Sequence, residues 1–583
     1  MARVTPIFRK ALFLLTFFGL VWHSTNAVGQ GVVSMPLYLY ASPTTEQYMK
    51  TNGQSYDRIV KRWRPYLIKY ADEAKKITRA QLLAGLPTGV LILPTAIALD
   101  SEERSAIESF AASGGSLLGS GAVATRDSQG KDTGLAFLER TFRVRTHGFY
   151  PASDDSFFMP FGDGPVTWPI PAARRMPIAN SKDSILRISS ANGAAVVMDW
   201  SRTKQTSPHD VMAFDETSNS RVAYFSMPDN AWPSNKDANL VLDATLAWLR
   251  REPQAYKAAW PNGYTAAHLI EMDTEDQFHS APNFAKDLES EGFKGTFYCL
   301  TSEAARYPAI VRDLIARGHE IGYHADVHYG FRGDPAGEQE LRIRFMKQQM
   351  QAILGERLAE ATGFRAPTES YDRSTETLLR KHGVLHHAAD ESAHEDRLPF
   401  FSLSEPGLGP DQALVVLPRT QYDDVSYKAL KFTPEQVLAT LYYDLDLFVR
   451  SGAFGLLSVH SQNYVTGGLM LRTMRDYMRK VASYRKQLWV ARGDEITAWW
   501  RQRERVQVDQ QWARNALHIR LQASQAVSGL SVFITLPSKN AAIRILPEKG
   551  APAPHVRVID DFRSALVFDR LEAGSAQVTL TFN

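Results

Sequence analysis

The chain is short of cysteine, of net charge and of long apolar runs, and each shortage removes a class of protein. Among 583 residues there is one cysteine, Cys299, so an internal disulfide cannot form and the fold must be held by its cores. Cys299 lies in the run Gly295-Thr296-Phe297-Tyr298-Cys299-Leu300, which reads as a buried strand and makes it a small core hydrophobe rather than a nucleophile. Charge is nearly balanced, with 66 Lys and Arg against 63 Asp and Glu. Three of the basic residues, Arg3, Arg9 and Lys10, belong to a leader, and without them the two signs are equal. A near-neutral chain argues against nucleic acid or anionic lipid as its partner. The apolar run Ala11 to Trp22 is twelve residues long, where a bilayer takes about 20. With its basic start and the small residues of Thr25-Asn26-Ala27 behind it, the segment 1–27 reads as a signal peptide. No later segment is apolar enough to be transmembrane, so the expectation is an exported protein, periplasmic or secreted.

What is present divides the chain into three parts, with no internal repeat and no long low-complexity segment. From 31 to 255 the pattern is α/β. Thr88 to Pro94 is a short continuous apolar run, as expected of a strand covered on both faces. Ser101 to Ala112 reads as a helix stopped by Gly114-Gly115, and Ser116-Leu117-Leu118-Gly119 as the next strand. Later strands are expected at Ala194–Met198 and Val222–Phe225, with a closing helix from Asp237 to Arg250. From 258 to 505 a second α/β block alternates strand and helix: a helix Pro282–Gly292, a strand Gly295–Leu300 and a helix Pro308–Arg317. Polar residues at its strand ends suggest a barrel-like parallel sheet with its chemistry at the carboxyl ends. From 508 to 583 the period changes to two, as in Leu517, Ile519, Leu521 and in Leu530, Val532, Ile534, which reads as a small β-sandwich.

The first part resembles the glutamine-amidotransferase-like or trimerisation-type domains attached to some glycoside-processing enzymes. Catalytic amidotransferases need a cysteine at the strand-to-helix turn. Here the only cysteine is elsewhere, so this domain is read as a non-catalytic scaffold or docking module.

The second part carries the chemistry. His324-Ala325-Asp326-Val327-His328 places two imidazoles four residues apart, able to present nitrogens to one divalent ion. Some fifty residues upstream, Asp273-Thr274-Glu275-Asp276 closes the apolar run Ala266–Met272. Two histidines with one carboxylate form an open hydrolytic site, in which the fourth position holds the attacking water. Three further elements follow in order: Gly363-Phe364-Arg365-Ala366-Pro367, Val384 to Asp390, and the apolar strand Phe454 to Val459 ending in His460.

In this order the five elements resemble the polysaccharide deacetylase (NodB-homology) superfamily, carbohydrate esterase family 4 and its relatives, over residues 266–465. The resemblance implies a distorted (β/α) barrel, a divalent metal with Zn²⁺ the first choice, and removal of acetyl groups from N-acetylated sugars. It implies Asp273 as catalytic base, His324 and His328 as metal ligands, and either Glu275 or Asp276 as the third ligand. The other of these two is then a carboxylate cap for the next helix. It further implies Arg365 as the partner that keeps Asp273 ionised, Asp390 as the carboxylate that tunes the catalytic histidine, and His460 as the general acid. Ala325 stands where the family has Ser or Thr, so the loop must be held differently. His319 is read as structural or surface. His386 and His387 face opposite sides of a strand and are secondary. The three-part layout resembles biofilm exopolysaccharide deacetylases, which implies an N-acetylated polysaccharide substrate and export machinery as a possible partner. Two other readings stay open: a metal-dependent hydrolase of another C–N bond, in peptidoglycan or a small amide, and a non-catalytic carbohydrate-binding scaffold.

Overall fold

The computed structural model describes residues 35–70, 73–151, 156–162, 164–178, 184–199, 209–229, 236–389, 397–546 and 553–583. The segment 1–27, read from the sequence as a signal peptide, and Asp390 lie outside the described residues. Among those described, no helix is long and apolar enough to cross a membrane.

The first part is an open mixed sheet. Strands Ala74–Ile77, Leu37–Tyr40, Val90–Leu93, Ser116–Ser120 and Arg221–Phe225 lie side by side in that order, all parallel. Val90–Leu93 is buried throughout, as its unbroken apolar run requires of a strand covered on both faces. Helix Ser101–Ala112 starts with a capping box made by Asp100 and Glu103. It ends against Gly115, where a Cβ would sit 2.2 Å from the Phe110 ring. Beyond Arg221–Phe225 the sheet continues antiparallel through Asp210–Glu216 and Gly193–Asp199 to Ser156–Pro160, a half that the apolar runs alone do not distinguish from a parallel one.

The middle part is a curled parallel sheet. Its strands follow the spatial order Val415–Pro418, His386–Ala389, Gly363–Arg365, Glu320–Tyr323, Thr296–Cys299, Ala266–Thr274 and Phe454–His460. The last strand does not pair with the first. Instead the Phe454 N–H donates to the Arg397 carbonyl and the Leu456 N–H to Thr420 Oγ1, both at 2.8 Å, and the His460 N–H to Asp424 Oδ2 at 2.9 Å. Loop and side-chain acceptors thus do at this seam what a neighbouring strand does elsewhere, which is how the barrel is distorted.

The amino-terminal end of this sheet is plugged by helix Gly493–Glu504. Its first N–H groups donate to Thr296 Oγ1 at 2.9 Å and Glu320 Oε2 at 3.0 Å, a buried carboxylate at a helix N-terminus. Glu320 Oε1 meets His386 Nε2 at 2.8 Å. His387, on the other face, meets Glu376 at 2.8 Å. Both histidines are buried and belong to the scaffold. His319 is buried as well: its Nδ1 accepts from the Gly295 N–H at 3.1 Å, and burial lowers its pKa to about 4. Cys299 is enclosed, and burial pushes its thiol up to about 12, consistent with a core residue.

The tail forms two four-stranded antiparallel sheets. One contains Val506–Ala513, Ala516–Ala523, Gly574–Phe582 and Ile543–Leu546; the other contains Val527–Thr535, Arg563–Leu571 and His555–Asp560. The eighth strand, Ala255–Lys257, comes from the stretch between the first part and the barrel and pairs with Val527–Thr535. Leu517, Ile519 and Leu521 alternate inward, into a core shared with Trp260, Leu456 and Trp500 of the barrel.

Candidate active site

Register brings the site together. Ala266–Thr274 lies between Phe454–His460 and Thr296–Cys299, with Asp273 directly opposite His460. Two strands away, Tyr323 pairs with Phe364, which sets His324 beside Arg365. Parallel strands end on the same side, so the residues just past or at four strand ends converge there. They line a cavity of about 370 Å³.

Glu275, His324 and His328 form the first cluster, their ligand atoms within 4.8 Å of one another. Glu275 Oε1 lies 3.0 Å from His324 Nε2 and 2.8 Å from His328 Nε2. Burial would raise the Glu275 carboxyl, but hydrogen bonds from the two histidines outweigh it and hold the group well below the usual carboxylate range. His324 Nδ1 lies 3.0 Å from the Arg365 carbonyl, which can only accept, so Nδ1 carries a proton. Nε2 is then the ring atom that faces Glu275 Oε1, across a proton or across a cation in the proton's place. A divalent metal fits this donor set of two imidazole nitrogens and one carboxylate oxygen. His328 is the rim member, its side chain 42% exposed.

The loop carrying the histidines is held by its backbone. Ala325 adopts a left-handed conformation, φ 69°, which positions its carbonyl to accept from the Thr301 N–H at 3.0 Å and Thr301 Oγ1 at 3.2 Å. Arg342 donates to Asp326 Oδ1 at 3.0 Å and to the carbonyls of Gly330 and Tyr329, each at 2.7 Å. Thr301 and Arg342 thus supply the anchorage that Ala325 cannot.

Asp273 and His460 form the second cluster. Arg365 is buried and donates to Asp273 Oδ2 at 2.8 Å, Glu271 Oε1 at 2.8 Å and Glu369 Oε1 at 2.9 Å. One guanidinium fixing three carboxylates is a planar clamp that an ammonium could not form. Asp273 Oδ1 is left without a partner. Burial raises the Glu271 carboxyl, to about 8, which leaves more of the guanidinium charge to Asp273. His460 Nδ1 donates to Asp424 Oδ1 at 2.6 Å, and its Nε2 lies 3.6 Å from Asp273 Oδ2. Burial lowers the imidazole pKa, but the Asp424 charge and hydrogen bond outweigh it and raise it to about 10. The ring is therefore cationic at neutral pH, with Nε2–H toward the cavity.

Of the residues singled out in the sequence, the structure gathers Asp273, Glu275, His324, His328, Arg365 and His460. It does not gather Asp276, whose side chain is exposed beyond the cluster; between the two acids, the geometry places Glu275 on the histidines. Asp390 lies outside the described residues, and the carboxylate on the His460 ring is that of Asp424. Sequence reading missed Asp424, Glu271, Glu369 and Gln462. For Asp424 a signal existed: the acidic pair Asp423-Asp424 opens helix Asp424–Ala429, with Asp423 as its N-cap.

No curated protein matches the chain. Among solved structures, a protein from Mycobacterium smegmatis assigned to the polysaccharide deacetylases is 21% identical, with a TM-score of 0.36, over 42% of this chain and 92% of that one. One from Pseudomonas aeruginosa PAO1 with the same assignment is 16% identical, TM-score 0.36, over 42% and 93%. A family 4 carbohydrate esterase from Streptomyces lividans, in complex with acetate, is 14% identical, TM-score 0.27, over 40% and 93%. Residues 273–386 match the family model described as polysaccharide deacetylase. That segment starts at Asp273 and contains Glu275, the histidine pair and Arg365; it gives the chain a polysaccharide deacetylase-type domain.

Proposed function

We propose that the protein is an exported, metal-dependent deacetylase that removes N-acetyl groups from a hexosamine-containing polysaccharide. The observation that carries the reading is the convergence of Glu275, His324 and His328 on one point beside the Asp273–His460 pair. Glu275, His324 and His328 would hold a divalent ion, which when bound would supply a Lewis acid and a water able to act as nucleophile at neutral pH. Asp273, held by Arg365 through one oxygen, takes the proton of the attacking water on the other. His460 donates its Nε2 proton to the departing sugar amine, which would otherwise leave as a poor anion. Asp424 keeps that ring oriented and charged. The products are acetate and a free amine, and a polymer so modified becomes cationic. A binding scaffold would have no need of both clusters, and each retains its residues.

The test is acetate release from a panel of acetylated glycans, with metal added and chelated. Release that depends on the ion and on the sugar is expected. Glu275→Ala and His324→Ala should each lose bound metal by elemental analysis, whereas Asp276→Ala should keep it. Chelator-insensitive release, or metal retained by Glu275→Ala, would sink the assignment.

A further inference from the structure

Gln462 lines the cavity two residues after the Phe454–His460 strand. Its amide nitrogen donates to Glu275 Oε2 at 2.5 Å, whereas Glu275 Oε1 is the oxygen that faces both imidazoles. The backbone beneath is tied in the same way. Ser461 Oγ accepts from the Glu275 N–H at 3.0 Å and donates to the Asp276 carbonyl at 2.6 Å. Turning the carboxylate to bring both oxygens to the imidazoles would break the Gln462 bond while its backbone stayed fixed.

We infer that Gln462 is a positioning residue that makes Glu275 a one-oxygen ligand for a divalent cation and so keeps one position free for substrate. Carboxylates bind cations through one oxygen or two. Two imidazoles and one oxygen give the three protein ligands of an open catalytic site. A second oxygen would occupy the place that water and the acetyl carbonyl need. Partners that orient a ligand in this way change metal affinity by about 10–100-fold when removed. The inference rests on the proposed function and adds the residue that sets the coordination number.

The experiment uses the full chain loaded with Co²⁺, as wild type, Gln462→Met and Gln462→Ala. Methionine keeps the length of the side chain and lacks the N–H donor. Cobalt affinity is read by competition with a chromogenic chelator, and coordination by the visible bands, which are strong for four ligands and weak for six. Both variants should bind Co²⁺ about 10–100-fold more weakly with weakened bands. Thermal unfolding of the metal-free protein should not change. Wild-type affinity and spectrum in Gln462→Met would overturn the inference, as would equal destabilisation of the metal-free variants, which marks a merely structural role. A wild-type chain that binds no Co²⁺, or binding that survives His324→Ala, would instead overturn the metal site itself.

Discussion

Asp273 and Glu275 stand two residues apart on one chain, and their neighbours give them different work. Asp273 is clamped by a guanidinium and retains one oxygen without a partner; Glu275 is shared between two imidazoles and an amide. Asp273→Asn should therefore abolish most acetate release, by roughly 10²-fold or more, while elemental analysis finds the metal still bound. Loss of the metal in that variant would assign Asp273 a ligand role. The sign of the pH dependence follows from His460, whose pKa is raised to about 10 chiefly by Asp424 against burial. Its acid form is complete at neutral pH and is lost as pH rises through that value. Asp424→Asn removes the charge that raises it, so the alkaline limb of the rate profile should shift to lower pH. A limb that stays in place would mean that another group donates the proton. Asp273, Arg365 and His460 were singled out through the family resemblance, and the structure brings them into one cavity. The pairing of Asp424 with the His460 ring was not legible in the sequence, because they lie 36 residues apart and only the closure of the barrel brings them together.

At the scale of elements, strands and helices were legible where the pattern was periodic, and the seams were not. Helix Ser101–Ala112 and the strand Phe454–His460 fall where their apolar spacing and end residues put them. The plug at the amino-terminal end of the barrel left no such mark, since a glycine before an amphipathic helix reads as an ordinary start. In the fold, a Cβ on Gly493 would lie 2.6 Å from His386 Cε1 and 3.0 Å from Glu320 Oε2. Gly493→Ala should cost about 1–3 kcal/mol by overpacking, measured as a lower denaturation midpoint. Metal content should be unchanged, because the ligands lie at the opposite end of the strands. An unaltered midpoint would show that the helix can withdraw without cost.

At the scale of the molecule, the three parts are joined by buried polar contacts as well as by apolar packing. Arg221 of the first sheet is buried; it donates to the Trp248 carbonyl at 2.6 Å and reaches the Leu536 carbonyl of the sandwich at 2.8 Å. Its Nη2 also lies 3.0 Å from Glu216. Arg221→Met leaves Glu216 with Arg251 alone and removes the tie to the sandwich, so stability should fall by roughly 3 kcal/mol. Calorimetry should then show the first part unfolding earlier than the rest. A single transition at the wild-type temperature would show that apolar packing alone couples the parts.

By itself the sequence determined the order of α/β part, barrel and sandwich and the chemical kinds at the barrel's strand ends. Periodicity, caps and residue types are local properties, written wherever they act. The tertiary structure decided which acid meets the histidines, which carboxylate grips His460 and which amide holds Glu275. Those contacts join segments from 36 to 187 residues apart. No local pattern encodes such a distance, which exists only once the curled sheet brings its strand ends to one side.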